Sequence, residues 1–265
     1  LLAAGGDSSL RYGKDKAFSA LSLAVTCGHV EVMQALIRHG VDVDAPDSNG
    51  STALHSAAMG DAVGAIDALI EAGANIDAQG GEDGARYTPL HMASEKGSAK
   101  AALSLIKHGA DVHRWGKTWR RRCCNALDLA AGRGHIAIVK SLLVAGVNVN
   151  LRPAYSDESA LDAAFQGGHA DIVTALIQHG AFVDATDSRG CTALFKVSLD
   201  TNAALVDKLV AAGASMNGIV DATGRTPLHH ACMNDCPEAI VSMLRHGARV
   251  DAKDDDGDTP LHAAS

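Results

Sequence analysis

Thr88-Pro89-Leu90-His91-Met92-Ala93 is one copy of a phrase that this chain repeats in register. Ser19-Ala20-Leu21 and Thr52-Ala53-Leu54-His55 precede it. Asn125-Ala126-Leu127, Ser159-Ala160-Leu161, Thr192-Ala193-Leu194, Thr226-Pro227-Leu228-His229 and Thr259-Pro260-Leu261-His262 follow it. Each of the first seven copies meets a glycine 21 residues after its Thr-equivalent: Gly40, Gly73, Gly109, Gly146, Gly180, Gly213 and Gly247. Gly5 belongs to the same series, and successive glycines stand 33 to 37 residues apart. A body of constant length joined to a variable remainder is one rigid unit plus one extensible loop, repeated along the chain.

Each body reads as two short helices. Thr at an N-cap accepts a hydrogen bond from a free backbone N–H, and proline after it has the φ that a first helical turn needs. Leu54 and Ala57-Ala58 then give an inner helix whose small residues permit close stacking. Ile66, Leu69 and Ile70 fall on one face of an outer helix, and Gly73 sits where a left-handed residue ends it. No unit of about 33 residues folds alone. Ordering it costs about 1–2 kcal/mol per residue, whereas each buried aliphatic side chain returns only about 1.5–3 kcal/mol. Stacking on both neighbours must supply the rest.

The phrase TPLH-x-A, the Gly-His turns (Gly28-His29, Gly134-His135, Gly168-His169) and the Ile/Val-rich runs ending in Gly-Ala-x-Val-Asp/Asn resemble the ankyrin-repeat family over essentially the whole chain. The resemblance implies an all-α solenoid of stacked helix-turn-helix units with projecting β-hairpin loops. Residues 1–265 then form one array, with complete repeats starting near 19, 52, 88, 125, 159, 192 and 226. Residues 1–18 close a preceding repeat and 259–265 open a truncated one. Neither end is a polar capping repeat, so the chain is expected to be a segment of a longer array that frays or associates end to end and is otherwise monomeric. Departures from the phrase at Asn125-Ala126 and at Phe195 and Thr201-Asn202 mark repeats four and six as the joints expected to open first.

Composition removes several classes of function. With 23 Lys+Arg against 31 Asp+Glu the net charge is −8, which argues against general nucleic-acid binding. No apolar stretch approaches the ~18–20 residues of a membrane span, and Leu1-Leu2-Ala3-Ala4 is no secretory signal. Six cysteines in 265 residues make no disulfide scaffold, so reduced thiols and a cytoplasmic or nuclear location are expected.

Candidate chemistry mostly dissolves into the repeat. Eleven of the 13 histidines occupy three repeat positions, and those of the TPLH slot are expected to hydrogen-bond between repeats. His229-His230-x-Cys232-x3-Cys236 lacks the second ligand pair of a zinc site. Asp254-Asp255-Asp256-Gly257-Asp258 is an acidic hairpin tip rather than a calcium loop, because Ala252 and Ala263 occupy its first and bidentate ligand positions. Cys123-Cys124 beside Arg120–Arg122 reads as two ordinary thiols, with cation-activated thiols as the minor alternative. No nucleophile–base pair, metal or cofactor is expected, and no catalysis.

Every Trp and Tyr lies between repeat bodies, outside the expected helical core. Arg114-Trp115-Gly116-Lys117-Thr118-Trp119-Arg120-Arg121-Arg122 places five basic residues and both tryptophans in nine positions of an acidic protein. The loop before it ends Arg86-Tyr87, and the next carries Arg152 and Tyr155. Trp, Tyr and Arg are the residues most enriched at interface hot spots. One reading makes Trp115, Trp119, Arg120, Arg121, Arg122, Arg86, Tyr87, Arg152 and Tyr155 a patch across three adjacent fingers for a protein partner with an acidic surface. The other makes them a solvated insertion whose tryptophans fold back over the helices. The resemblance implies a protein-interaction scaffold that binds through hairpin tips and the concave inner-helix side. Thr26-Cys27, Met59, Glu95-Lys96, Arg133, Gln166, Leu199-Asp200 and Met233-Asn234 fall there. Alternatives are the substrate-targeting segment of a larger enzyme, such as a kinase or ubiquitin ligase, and a spacer without a ligand.

Overall fold

A computed structural model describes residues 11–12, 18–81, 85–117, 123–152, 158–187, 190–197, 203–218, 221 and 223–264. The chain forms two compact units, Leu1–Asn148 and Val149–Ser265. The first begins with the antiparallel pair β1 (Arg11–Tyr12) and β2 (Phe18–Ser19). Four helix pairs follow: α1 (Ala20–Thr26) with α2 (Val30–Arg38), α3 (Ala53–Met59) with α4 (Val63–Glu71), α5 (Pro89–Lys96) with α6 (Ala99–Lys107), and α7 (Ala126–Arg133) with α8 (Ile136–Val144). A second strand pair, β3 (Gly116–Lys117) and β4 (Cys123–Cys124), projects between α6 and α7. The second unit contains α9 (Ala160–Gln166) with α10 (Ala170–Gln178), α11 (Ala193–Val197) with α12 (Ala203–Ala211), and α13 (Pro227–Met233) with α14 (Pro237–Arg245).

Within each unit the inner helices stack in succession, α1 on α3 on α5 on α7 and α9 on α11 on α13. The phrase leucines Leu21, Leu54, Leu90 and Leu127 are buried between them, beside fully enclosed Ala57, Ala58, Ala93, Ala130 and Ala131. Alanine lets helix backbones approach closely, so successive layers interlock without aromatic side chains. Ile66, Leu69, Leu105, Ile138 and Leu142 seal the outer helices from beneath. At the end of α4, Gly73 adopts φ 90°. Its N–H reaches the Ile70 carbonyl at 2.9 Å and that of Ala74 the Leu69 carbonyl at 3.0 Å, the paired bonds of a Schellman stop.

The TPLH histidines join one repeat to the next. His55 Nδ1 accepts the N–H of its own N-cap, Thr52, at 3.1 Å, which puts the ring proton on Nε2. Nε2 lies 2.8 Å from the carbonyl of Tyr87, one repeat further on. His229 repeats the arrangement with Thr226 and the Asp258 carbonyl, at 3.1 Å in each bond. In repeats four and five an aspartate replaces the histidine and closes the capping box: Asp128 accepts from Asn125 N–H and Asp162 from Ser159 N–H, both at 3.0 Å.

Two further ladders went unread in the sequence. The Asp/Asn that ends Gly-Ala-x-Val-Asp/Asn accepts a backbone N–H of the following repeat: Asp44 from Asn75, Asp77 from Asp111, Asn150 from Phe182, Asp184 from Ser215 and Asn217 from Arg249. At the finger ends, Asp47, Asp221 and Asp254 each turn their carboxylate inward to take two N–H groups of an Asp-x-x-Gly turn. The fingers at Asp47–Ser51 and Asp254–Asp258 are therefore turns without strands. Among the described residues strand pairing occurs only at 11–19, 80–87 and 116–124. The tip at Asp254–Asp258 is acidic as expected, but Asp254 itself is buried and holds the turn while Asp255, Asp256 and Asp258 face solvent.

His91 sets a pH limit on this architecture. Its ring is almost fully enclosed and Nδ1 accepts the Thr88 N–H at 3.2 Å, and the burial of the ring outweighs its hydrogen bonding to the backbone of Cys124 and Arg114. Burial lowers its pKa to about 4, and burial lowers that of His55 as well. Both rings are neutral in the native state, so below pH 6.5 the unfolded chain takes up protons that the folded chain refuses. The stability that these neutral rings confer is fully present above pH 6.5 and is lost as pH drops towards 4, with His91 contributing about 3 kcal/mol of the loss. Urea unfolding followed by circular dichroism should show the midpoint dropping steadily between pH 7 and 4.5. His91→Gln keeps an N3 side chain able to accept the cap N–H and should flatten that slope; an unchanged slope in this variant would refute the assignment.

Candidate functional site

The basic–aromatic finger is mounted on a buried joint. Backbone bonds from Gly80 N–H to Tyr87 O (2.8 Å) and from Tyr87 N–H to Gly80 O (2.7 Å) close the finger before α5. That finger is tied backward through Gly81 N–H to Asn49 O at 3.0 Å and forward through Lys117 N–H to Ala85 O at 2.6 Å. Three successive fingers thus lie side by side in the first unit, and the third is the β3–β4 hairpin with Gly116 opposite Cys124 and Lys117 opposite Cys123.

The side chain of Tyr87 is the centre of this joint, which corrects its expected place on the surface. The residue is only 6% exposed, among Ala85 and Cys124, with Met92 and Leu129 packed against them. Its ring stacks on His91 with centroids 5.4 Å apart and planes at 10°. Cys124 Sγ–H points to its hydroxyl at 3.8 Å, and burial raises the phenol's pKa. Tyr87 directly precedes the N-cap Thr88, where the backbone is extended and the side chain turns down onto the helices. Gly116 has no side chain because Tyr87 passes there: a Cβ would stand 2.6 Å from Tyr87 Cδ1 and 3.2 Å from His91 Cδ2. The same burial disposes of an activated thiol at Cys124, whose pKa is pushed up to about 12 rather than lowered by the arginines.

The other candidate residues separate. Arg86 is exposed, and its φ of 50° places it in the left-handed region. Trp115 is half-buried, Lys117 is exposed, and exposed Arg114 pairs with Asp111 at 3.4 Å. Arg152 faces inward in the second unit, which corrects its expected place on a finger surface. One guanidinium nitrogen donates to Thr186 O at 2.8 Å and another lies 3.9 Å from the buried carboxylate of Asp162. Lys196 contacts that carboxylate and lies 3.2 Å from Asp187, so two acids and two bases neutralise one another beneath the fingers. Trp119, Arg120, Arg121, Arg122 and Tyr155 lie outside the described residues, as do Leu199-Asp200 and Thr201-Asn202.

Of the residues before the inter-helix turns, Thr26, Cys27, Met59, Lys96, Arg133, Gln166, Met233 and Asn234 are exposed. Glu95 is half-buried and bonded to Arg133 at 2.9 Å. The histidine–cysteine cluster is occupied by structure: His229 bridges repeats, His230 is held by Asp221 at 2.7 Å and edge-stacked on Phe195, and Cys236 Sγ–H donates to Asn234 O. Among the described residues no three His, Cys, Asp or Glu side chains gather as a metal-binding set. Nor is any helix among them long and apolar enough to cross a membrane.

Comparison with known proteins agrees with this geometry. The family described as ankyrin repeats (3 copies) matches residues 1–80, 21–116, 79–153, 127–217 and 194–265. The putative palmitoyltransferase ZDHHC13 of Danio rerio is 26% identical over 242 residues, covering 91% of this chain and 31% of that protein. The human ankyrin repeat and SOCS box protein 16 is 29% identical over 254 residues, covering 95% of this chain and 48% of that protein. The chain thus spans less than half the length of either relative. Among solved structures, the human ASB11 ankyrin repeat domain superposes with a TM-score of 0.70 at 26% identity, covering 88% of this chain and 99% of that one.

The joint makes two measurable demands. Gly116→Ala should destabilise the first unit by about 1–3 kcal/mol, because its methyl must displace a buried ring. Exposed Lys117→Ala should stay within about 0.5 kcal/mol of the parent. Thiol labelling of the native protein should modify exposed Cys27 quickly and leave Cys124, Cys191 and Cys236 unmodified until unfolding. Equal stability of the two variants, or prompt labelling of Cys124, would contradict a packed joint.

Proposed function

We propose that this chain, which belongs to the ankyrin-repeat family, is a non-catalytic interaction scaffold that binds a protein partner with an acidic surface across its fingers and inner-helix face. The ankyrin repeat is a protein-interaction fold, and no catalytic domain is apparent in the chain. One observation supports the finer reading: the base of the basic–aromatic hairpin, at Gly116–Lys117 and Cys123–Cys124, is paired and packed on Tyr87. A mount fixed in advance lowers the ordering cost of binding. Trp115 and Trp119 supply contact area, while Arg114, Lys117 and Arg120–Arg122 attract the acidic partner and set its approach. The repeat register beginning near 19, 52, 88, 125, 159, 192 and 226 is the frame on which these residues are displayed.

A second reading makes the chain the recognition segment of a longer protein that performs chemistry elsewhere. It is favoured by the match to a protein named a putative palmitoyltransferase, of which the chain covers only 31%. The two readings share the binding surface and differ in what it delivers.

Affinity capture from lysate with the parent chain and with Trp115→Ser/Trp119→Ser/Arg121→Glu, at low and moderate salt, tests the shared surface. At least one acidic protein should bind the parent about tenfold more strongly than the variant and weaken as salt screens the contact. Identical captures from the two would exclude the finger as the recognition site.

A further inference from the structure

Two outer helices of the first unit differ from all the others on their solvent side. In every outer helix the second, fifth and ninth residues share one face by helical spacing, and all are exposed except half-buried Asp67 and Thr174. On α6 this face is Lys100, Leu103 and Lys107, and on α8 it is Ala137, Lys140 and Val144. Neither helix contains a carboxylate, whereas α2, α4, α10, α12 and α14 each contain at least one. Because α6 and α8 pack side by side, the two faces adjoin. Packing does not require their aliphatic members. Val144 is 85% exposed at a position where α2, α4, α6, α10 and α14 carry Arg, Glu, Lys, Gln and Arg, and Leu103 is 41% exposed.

The polar groups of these helices narrow what the face can meet. Ser104 Oγ donates to Asp67 at 2.9 Å and Ser141 Oγ to the Ala137 carbonyl at 3.0 Å, so both hydroxyls are engaged within the fold. Lys100, Lys107 and Lys140 are exposed and make no ion pair among the described residues. Of the carboxylates on adjoining elements, Asp67 also takes His108 at 3.0 Å, Glu95 pairs with Arg133 and Asp111 with Arg114. Glu71 alone stays exposed and unpaired, at the last turn of α4. Residues 82–84 and 118–122 fall between Gly80 and Tyr87 and between β3 and β4, in the fingers rather than on an outer helix. The face therefore offers ammonium groups and aliphatic carbons, with no acceptor to read a partner's amides. A layer of anionic headgroups over acyl chains needs only those two chemistries, and lysine stems lie along apolar surface while their charges stay in the headgroups.

We propose that the outer face of α6 and α8 docks on an anionic phospholipid surface, with Lys100, Lys107 and Lys140 among the headgroups and Leu103 and Val144 at the acyl boundary. The contact is peripheral, since neither helix is long enough to span a bilayer. Each lysine near such a surface strengthens binding about fivefold, so the three together give about a hundredfold. Both helices are already folded and held by the core, so no segment has to order on the membrane. The face uses other residues than the finger, and its failure would leave the acidic-partner reading untouched.

Vesicle flotation at low salt tests this with the full chain carrying Trp115→Ser/Trp119→Ser/Arg121→Glu, a background that reduces vesicle contact through the finger. The probes are phosphatidylcholine vesicles containing about a third phosphatidylserine, and vesicles of phosphatidylcholine alone. The chain should bind the anionic vesicles at least about tenfold more strongly. Adding Lys100→Glu/Lys140→Glu should weaken that binding by at least about twentyfold. Adding Leu103→Gln/Val144→Gln instead, with unaltered circular dichroism, should weaken it about tenfold, a loss that charge attraction alone does not produce. Equal binding to both vesicles, or anionic binding that survives either pair of substitutions, would overturn the proposal. So would a chain that ignores vesicles yet captures an acidic protein from lysate only while Lys100 and Lys140 are intact, which would make the face a protein interface.

Discussion

An imidazole shut between two repeats holds the rest of this structure in place. In His55 and His229 one ring nitrogen satisfies the N–H that opens a helix, and the other reaches a carbonyl of the next repeat. Neither group could be buried without a partner except at a cost of about 1–3 kcal/mol. Helix start and repeat spacing are thereby fixed by the same ring. The carbonyl that His55 takes belongs to Tyr87, so the tyrosine at the base of the basic finger is set by a bond from the preceding repeat. The finger is positioned because the repeats are.

The second unit shows what happens where the phrase is rewritten. Repeat five has Asp162 in the histidine slot, and an aspartate can close the cap but cannot bridge forward as a neutral donor. Its enclosed charge is met instead by Lys196 from the next repeat and by Arg152 from the preceding finger. Such a cluster confers little net stability, because desolvation opposes the attraction, yet losing one member leaves a buried charge uncompensated. The forward link between repeats is kept and its chemistry changes from a neutral hydrogen bond to an ion cluster. Repeat six, which puts Phe195 in the same slot, supplies the lysine and sets its aromatic ring against His230.

The frame was legible because it is written many times over. Thr52, Leu54, Ala57 and Gly73 have counterparts throughout the chain, so helix starts, core positions and helix ends followed from alignment of the chain with itself. Tyr87 was misplaced for the opposite reason. It occurs in one repeat only, in a loop of unusual length, and residue type alone could not tell a ring that turns down onto His91 from one facing outward. A signal was present in Gly116, a glycine at neither a helix end nor an Asp-x-x-Gly turn, which marks a close approach. The inward aspartates were also within reach, since Asp47, Asp187, Asp221 and Asp254 each stand three residues before a glycine. The run Asp254–Asp258 obscures this role, because most of its members are exposed.

A repeat that satisfies its own backbone leaves its surface free to diverge, and here the divergence has a pattern. Buried positions are occupied by the same few residues from one repeat to the next, whereas positions five and eight of the inner helix, counted from its N-cap, change at every step. In the first unit those positions include Leu23, Met59, Met92 and Leu129, and the carboxylates of Asp47, Asp128 and Glu95 are bonded within the fold. In the second, Arg152, Lys196 and Arg225 are bonded within the fold while Asp255, Asp256 and Asp258 remain exposed. Which charges are consumed internally decides which remain for a partner. Net charge is therefore a poor guide to this molecule: at −8 overall, its first unit carries 15 basic and 15 acidic residues, and among the described residues Arg86, Lys96 and Lys117 are exposed without an ion pair while Asp47, Asp128 and Glu95 are committed to a turn, a cap and a salt bridge.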